Sequence, residues 1–176
     1  MDGNVRMRKS TCILWLLFAV LLSSLTPRSA YAANNCPWLN EATASGILGG
    51  SSVGVFKPEA KGQAAVCEFT FKGSDAQRTL RIIVETSVAT PHARLTAVEH
   101  TCAVSSSPLD AIGNEAIVCL ARPRGRERSE FVAGRVRDQV FSITLTTDRR
   151  DDPSFTAETM RMHIAVAAEQ VSGNLF

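Results

Sequence analysis

The chain has 176 residues, with 19 Lys and Arg against 17 Asp and Glu, an apolar fraction of 45% and five cysteines. That is the composition of an ordinary globular protein, which excludes intrinsic disorder and collagen-like or coiled-coil architecture. The length suits a single domain that buries roughly two-thirds of its unfolded surface, and excludes two domains or a large enzyme architecture.

Residues 1–32 read as a secretory leader. A basic start (Arg6, Arg8, Lys9) precedes an apolar run from Cys12 to Leu22, then a polar stretch ending in Ala30-Tyr31-Ala32. Small residues three before and one before a cut are what signal peptidase accepts, so cleavage is expected between Ala32 and Ala33. The apolar run, about 11 residues, is too short for a spanning helix, which needs ~20. Ala33-Asn34-Asn35 before Cys36 is a poor lipid-attachment box, so the mature product is expected to be soluble, in a periplasm or outside a bacterial cell. The leader takes four of the 19 basic and one of the 17 acidic side chains, leaving 15 against 16. The apparent basicity belongs to the leader, and general nucleic-acid binding loses its main support.

Removing the leader removes Cys12 and leaves Cys36, Cys67, Cys102 and Cys119 in residues 33–176, a single domain. An even count in an oxidising compartment reads as two disulfides. Three pairings are possible. Cys36–Cys67 with Cys102–Cys119 is favoured because each closes a local unit and neither crosses the other. A tetrathiolate zinc site normally needs two closely spaced pairs, and that spacing is absent.

Asn40 can cap a short helix over 41–48, and Gly49-Gly50 can stop it. Trp38 and Leu39 just before it read as core anchors. Val53–Phe56 is a short strand, and Lys57–Gln63 a turn. Ala64–Phe71 is a strand with Cys67, Phe69 and Phe71 on one face. Thr79–Thr86 follows, with Leu80, Ile82 and Val84 inward, the clearest period of two in the chain. Thr90-Pro91 opens a second helix, with Leu95, Val98 and Cys102 on one side. Ser105–Pro108 reads as a loop, and Ile117–Ala121 as a strand. An arginine-rich loop, 122–128, leads into a hairpin of Glu130–Val136 and Val140–Thr147. Asp152-Pro153 is read as the start of a last helix that carries Ala157, Met160, Ile164, Ala168 and Val171 as its apolar stripe and stops at Gly173-Asn174.

The expected order is helix, three strands, helix, three strands, helix. Strands joined by short turns are antiparallel, so the fold class is α+β: a twisted, mainly antiparallel sheet of about six strands, helices packed mostly on one face, two disulfides.

Cys36-Pro37-Trp38-Leu39 before the capped helix, Leu48-Gly49 at its end, Cys67 in the second strand and Ala111-Ile112-Gly113-Asn114-Glu115-Ala116 before the paired hairpin resemble an uncharacterised secreted or lipoprotein domain of bacteria. Such domains are common among actinobacterial cell-envelope proteins. More distantly, the pattern is similar to extracellular sensor domains of bacterial serine/threonine kinases. The resemblance implies a similar sheet, a Cys36–Cys67 disulfide and no established catalytic residues.

Chemistry-bearing motifs are few. Gly50-Ser51-Ser52-Val53-Gly54 matches the nucleophile-elbow pattern in letters, but a helix precedes and a strand follows, the reverse of what the elbow needs. His92 and His100 are spaced two helical turns apart, too far to chelate, and read as surface side chains. His163 lies off the apolar stripe. Asp148, Asp151 and Asp152 are read as favouring the positive end of the last helix. The sharpest feature is Arg122, Arg124, Arg126 and Arg128, which Arg135 and Arg137 in the next strand could extend. Guanidinium groups grip phosphate or carboxylate in a fork, so the patch points to an anionic partner: an envelope polymer, a lipid headgroup or an acidic protein. A solvated loop that blunts a sheet edge is the plainer alternative. No aromatics interleave the patch, against single-stranded nucleic acid.

The sequence thus points to a non-catalytic binding or interaction module, without cofactor or metal, of the cell envelope or extracellular space. The alternative is a small hydrolase whose site assembles only in space. Mass spectrometry of the native protein is expected to show an N-terminus at Ala33 and no free thiol; a chain beginning at Met1 with reduced cysteines would overturn the placement.

Overall fold

The computed structural model describes residues 35–60, 64–122 and 124–176. The leader, its cut after Ala32, and Pro123 of the arginine-rich loop lie outside the described residues. Among the described residues three helices, α1 (Glu41–Leu48), α2 (Pro91–Glu99) and α3 (Ala157–Leu175), accompany seven strands: β1 (Val53–Lys57), β2 (Ala65–Lys72), β3 (Gln77–Glu85), β4 (Ser107–Pro108), β5 (Glu115–Leu120), β6 (Arg128–Val136) and β7 (Gln139–Thr147). They form one antiparallel sheet in the order β1-β2-β3-β7-β6-β5-β4. Two meanders, β1–β3 and β4–β7, therefore meet through their last strands.

Local signals account for most boundaries. The Asn40 side chain accepts from the Thr43 amide at 2.8 Å, and Gly49 takes the left-handed conformation (φ 75°) that ends α1. Leu80, Ile82 and Val84 are fully buried, as their alternation requires. Four expectations are corrected. Ser107-Pro108 is not loop but a seventh strand against β5. Cys102 lies beyond α2, in a bridge to Ala121. The last helix begins at Ala157, with Thr156 accepting from the Thr159 amide, rather than at Asp152-Pro153. It also runs through Gly173-Asn174 to Leu175, where Asn174 Nδ2 donates to Trp38 O at 3.0 Å.

Helices α1 and α3 cover one face of the sheet over the main core, which includes Trp38, Phe69, Leu80, Ile82, Phe141, Ile143, Met160 and Ile164. Trp38 is a core plug, its ring edge-on to Phe56. A smaller cluster of Leu95, Cys102, Cys119, Phe131 and Ala133 lies on the opposite face, under α2. Phe131 and Ala133 alternate with Val132, which faces the main core, so β6 is covered on both sides. The two halves are therefore not copies: each opens on a helix, but on opposite faces. Arg94 of α2 holds Glu85 of β3 from that second face.

Both disulfides pair locally. Cys36–Cys67 joins the segment before α1 to β2, and Cys102–Cys119 ties the segment after α2 to β5, across 31 and 17 residues of sequence. Loops of that size contribute about 3–4 kcal/mol each on the chain-entropy account. The sheet's edges are also managed. Glu41 and Ser45, one turn apart on α1, accept from the amides of Gly54 and Ser52 at 3.0 Å, tying off the edge beside β1. At the other edge β4 is only two residues long and contains Pro108.

One charged pair lies inside. Arg78 is at an inward position of β3, in phase with Leu80, and is 7% exposed. Its Nε and Nη2 donate to Asp152 at 2.8 and 3.0 Å, and its Nη1 donates to Leu48 O at 2.9 Å. The guanidinium lies 4.1 Å from the Phe155 ring centroid and 5.4 Å from that of Phe71. Removing one partner strands a buried charge, whereas replacing both by apolar groups removes the desolvation cost with the attraction. Urea unfolding is therefore expected to show a loss of about 3–5 kcal/mol for Arg78→Ala, most of it recovered in Arg78→Met/Asp152→Leu. A loss below about 1 kcal/mol for the single change would contradict this account.

Candidate functional site

The sheet end where β2 turns into β3, β5 into β6 and β7 into α3 gathers the chain's chemistry. The β5–β6 loop carries Arg122, Arg124 and Arg126, all exposed, with half-buried Arg128 opening β6. The Arg122 amide donates to Thr101 O at 3.2 Å. The β7–α3 loop brings exposed Arg149 and Arg150 to the same end. Arg149 Nη1 donates to Asp75 O in the β2–β3 turn at 2.9 Å, and the Gln77 amide donates to Asp148 Oδ1 at 3.0 Å. The β2–β3 turn and the β7–α3 loop are thus braced against each other, and the β5–β6 loop is held at its start by the segment after α2.

Arg135 and Arg137 do not extend this group. They lie at the far end of β6 and in the turn beyond it, Arg135 about 23 Å from Arg128 by the rise of a strand and Arg137 farther still. Arg135 is held by Glu115, and Arg137 occupies the β6–β7 tip at φ 57°, its guanidinium 5.9 Å from the Phe176 ring centroid. Sequence proximity joined them to the patch; an extended strand separates them from it. Glu115 also receives His92 Nδ1 at 3.0 Å. The His92 bond is the largest influence on the Glu115 carboxyl; burial opposes it, and with the further help of Arg135 the carboxyl is held below the usual carboxylate range.

Sequence reading missed Arg149 and Arg150, which lie outside the run of arginines. It also assigned Asp152 to the helix end. Asp152 instead turns inward to Arg78 and further accepts from Thr147 Oγ1 and the Ser154 amide. Burial pushes its carboxyl up, but the bonds from Arg78, Ser154 and Thr147 outweigh that and hold it below the ordinary aspartate value. The available signal was the phase of Arg78 with Leu80, Ile82 and Val84, which places a cation inside.

Three clefts open at this end. One of about 340 Å³ is lined by Phe71, Ser74, Arg78, Arg149, Ser154 and His163, among others. A second, of about 320 Å³, lies between Arg126, Asp148, Arg149, Arg150 and Asp151. A third of the same volume has Leu120, Glu127, Arg128 and Arg150 in its walls. The first brings His163 near Asp152, Ser74 and Ser154, the residue types a spatially assembled hydrolase would use. Their hydrogen bonds run elsewhere: His163 Nδ1 is 2.6 Å from Ile47 O, and Asp152 is committed to Arg78. A nucleophile–base–carboxylate relay needs those groups bonded to one another. Ser52 of the elbow-like motif is buried and pairs with Ser45. All four cysteines of the domain are in disulfides. Among the described residues, no three His, Cys, Asp or Glu side chains converge as a metal site, and no helix is long and apolar enough to cross a membrane.

Glu130, on the core face of β6, is 2% exposed, and its Oε2 has no hydrogen-bond partner among the described residues. Burial raises its pKa; Arg161 and Arg128 only partly oppose it. A carboxyl raised in the folded state costs nothing below its unfolded value and weakens the fold as pH climbs through the folded one. Glu130→Gln is therefore expected to leave Tm unchanged near pH 4 and to raise it progressively toward pH 8, by about 1–3 kcal/mol of stability. A pH-independent difference would refute the ionised-carboxyl account. No family model matches the chain, and the curated proteins and solved structures compared with it contain no match.

Proposed function

We propose that this chain is an exported, non-catalytic binding module of the bacterial cell envelope or extracellular space, cleaved after Ala32, whose arginine-bearing sheet end docks an anionic partner. The observation that carries the reading is the convergence of two loops. Arg122, Arg124, Arg126 and Arg128 come from one and Arg149 and Arg150 from the other, and among the described residues none of the six is in an ion pair. Arg149 Nη1 and Arg122 Nε are each anchored on a backbone carbonyl, and guanidinium groups without a carboxylate partner present their remaining donors to carboxylate or phosphate. The two disulfides fit an oxidising, extracytoplasmic setting. A hydrolase reading is less well supported, because the His163 ring nitrogen and the Asp152 carboxylate already have partners that a relay would need free.

Titration with inositol hexakisphosphate, followed by backbone amide shifts, is expected to map to residues 122–128 and 148–151 and to weaken with salt. Arg126→Ala with Arg150→Ala should weaken binding about tenfold, some 1.4 kcal/mol, while Arg137→Ala at the opposite end leaves it unchanged. Equal losses at both ends, or shifts that map away from these loops, would refute the docking face.

A further inference from the structure

The three clefts are joined through shared side chains. Arg149 lines both the first and the second, and Arg150 both the second and the third. The two arginines are therefore dividers along one track rather than members of three separate pits. An elongated ligand fits such a track better than a compact one.

The track also has a chemical pattern. Every cleft sets a guanidinium beside a carboxylate: Arg149 with Asp75 in the first, Arg126 and Arg150 with Asp148 and Asp151 in the second, Arg128 with Glu127 in the third. No ion pair joins these groups among the described residues. Guanidinium groups donate to acid oxygens; carboxylates only accept, and the donors a sugar chain can offer them are its hydroxyls. A chain bearing acid groups alone, such as a polyphosphate, meets repulsion from the four intervening carboxylates. A neutral glycan leaves the arginines unmatched. A sugar chain with both acid groups and hydroxyls satisfies both sets at once, and half-buried Phe71 in the first cleft offers its ring to the apolar side of a sugar.

Resting on the docking face proposed above, we infer that its partner is an extended acidic glycan lying along the Arg149–Arg150 track, successive units occupying successive clefts. Binding should then depend on chain length, on both kinds of group in the ligand, and on the divider between clefts.

Calorimetric titration of the folded protein with oligogalacturonates of increasing length tests this. Affinity is expected to rise at least tenfold from the dimer to a length that spans all three clefts, then level off. Arg150→Ala, which removes a wall shared by the second and third clefts, should flatten that dependence, costing the long chains more affinity than the dimer; Arg137→Ala should change nothing. Neutral glucan oligomers should not bind, and polyphosphate of equal charge should bind at least tenfold more weakly. Affinity independent of length, or polyphosphate or anionic-lipid vesicles binding as tightly, would overturn the glycan inference while leaving an anion-docking face intact. Absence of binding to every anion would overturn both.

Discussion

Arg78 and Asp152 meet in the interior because β3 and β7 are paired in one register. With Arg78 opposite Thr147, the chain leaving β7 turns back so that Asp152 reaches the guanidinium from above. The same guanidinium takes Leu48 O at the end of α1, where the His163 ring also meets Ile47 O. One side chain thus holds the sheet, the end of the first helix and the approach to the last. Phe155 and Phe71 flank it, which excludes water and strengthens the attraction, at the cost of making any unpaired partner destabilising.

That constraint positions the candidate site. Asp152 is drawn inward, so the preceding Asp148–Asp151 segment is displayed at the sheet end with its arginines outward. Arg149 is braced by Asp75 O and Asp148 by the Gln77 amide, and β6 starts alongside with Arg128. Surface arginines on long loops ordinarily lose much of their binding energy to ordering. Here the backbone that carries Arg149 and Arg150 is held by the buried pair and the β2–β3 hairpin, which leaves chiefly their side chains to be ordered.

The disulfides tie other segments. Each joins a segment beside a helix to a strand, one on each face of the sheet; Cys102–Cys119 adjoins the third cleft, whose walls include Ala103 and Leu120, and Arg122 Nε donates to Cys102 O at 3.4 Å. The Cys102–Cys119 bridge lies in the small second core, which contains few large side chains. Among the described residues Glu130 is the one conflict on the core side of the sheet, a carboxyl with an unpartnered oxygen beneath α3. Nothing in the architecture uses it, and its cost is tolerated by a core otherwise built of closely packed aliphatic and aromatic side chains.

Features decided within a few residues were legible in the amino-acid order. Asn40 and Gly49 bound α1 because caps act across three or four residues, and Leu80-Ile82-Val84 reveal β3 because a pleat repeats every two. The local disulfide pairing and the α+β class follow from the same short-range logic. Tertiary structure alone decided where β7 inserts, which face α2 covers, that Ser107-Pro108 adds a strand, and that Arg135 and Arg137 are carried away from the other arginines. It alone joined Arg78 to Asp152, 74 residues apart, and set Arg149 and Arg150 beside Arg126 and Arg128. The reason is physical: propensity, capping and alternation depend on neighbours in the chain. An ion pair or a cleft depends on the register of strands distant in sequence, which the burial of the whole sheet selects at once.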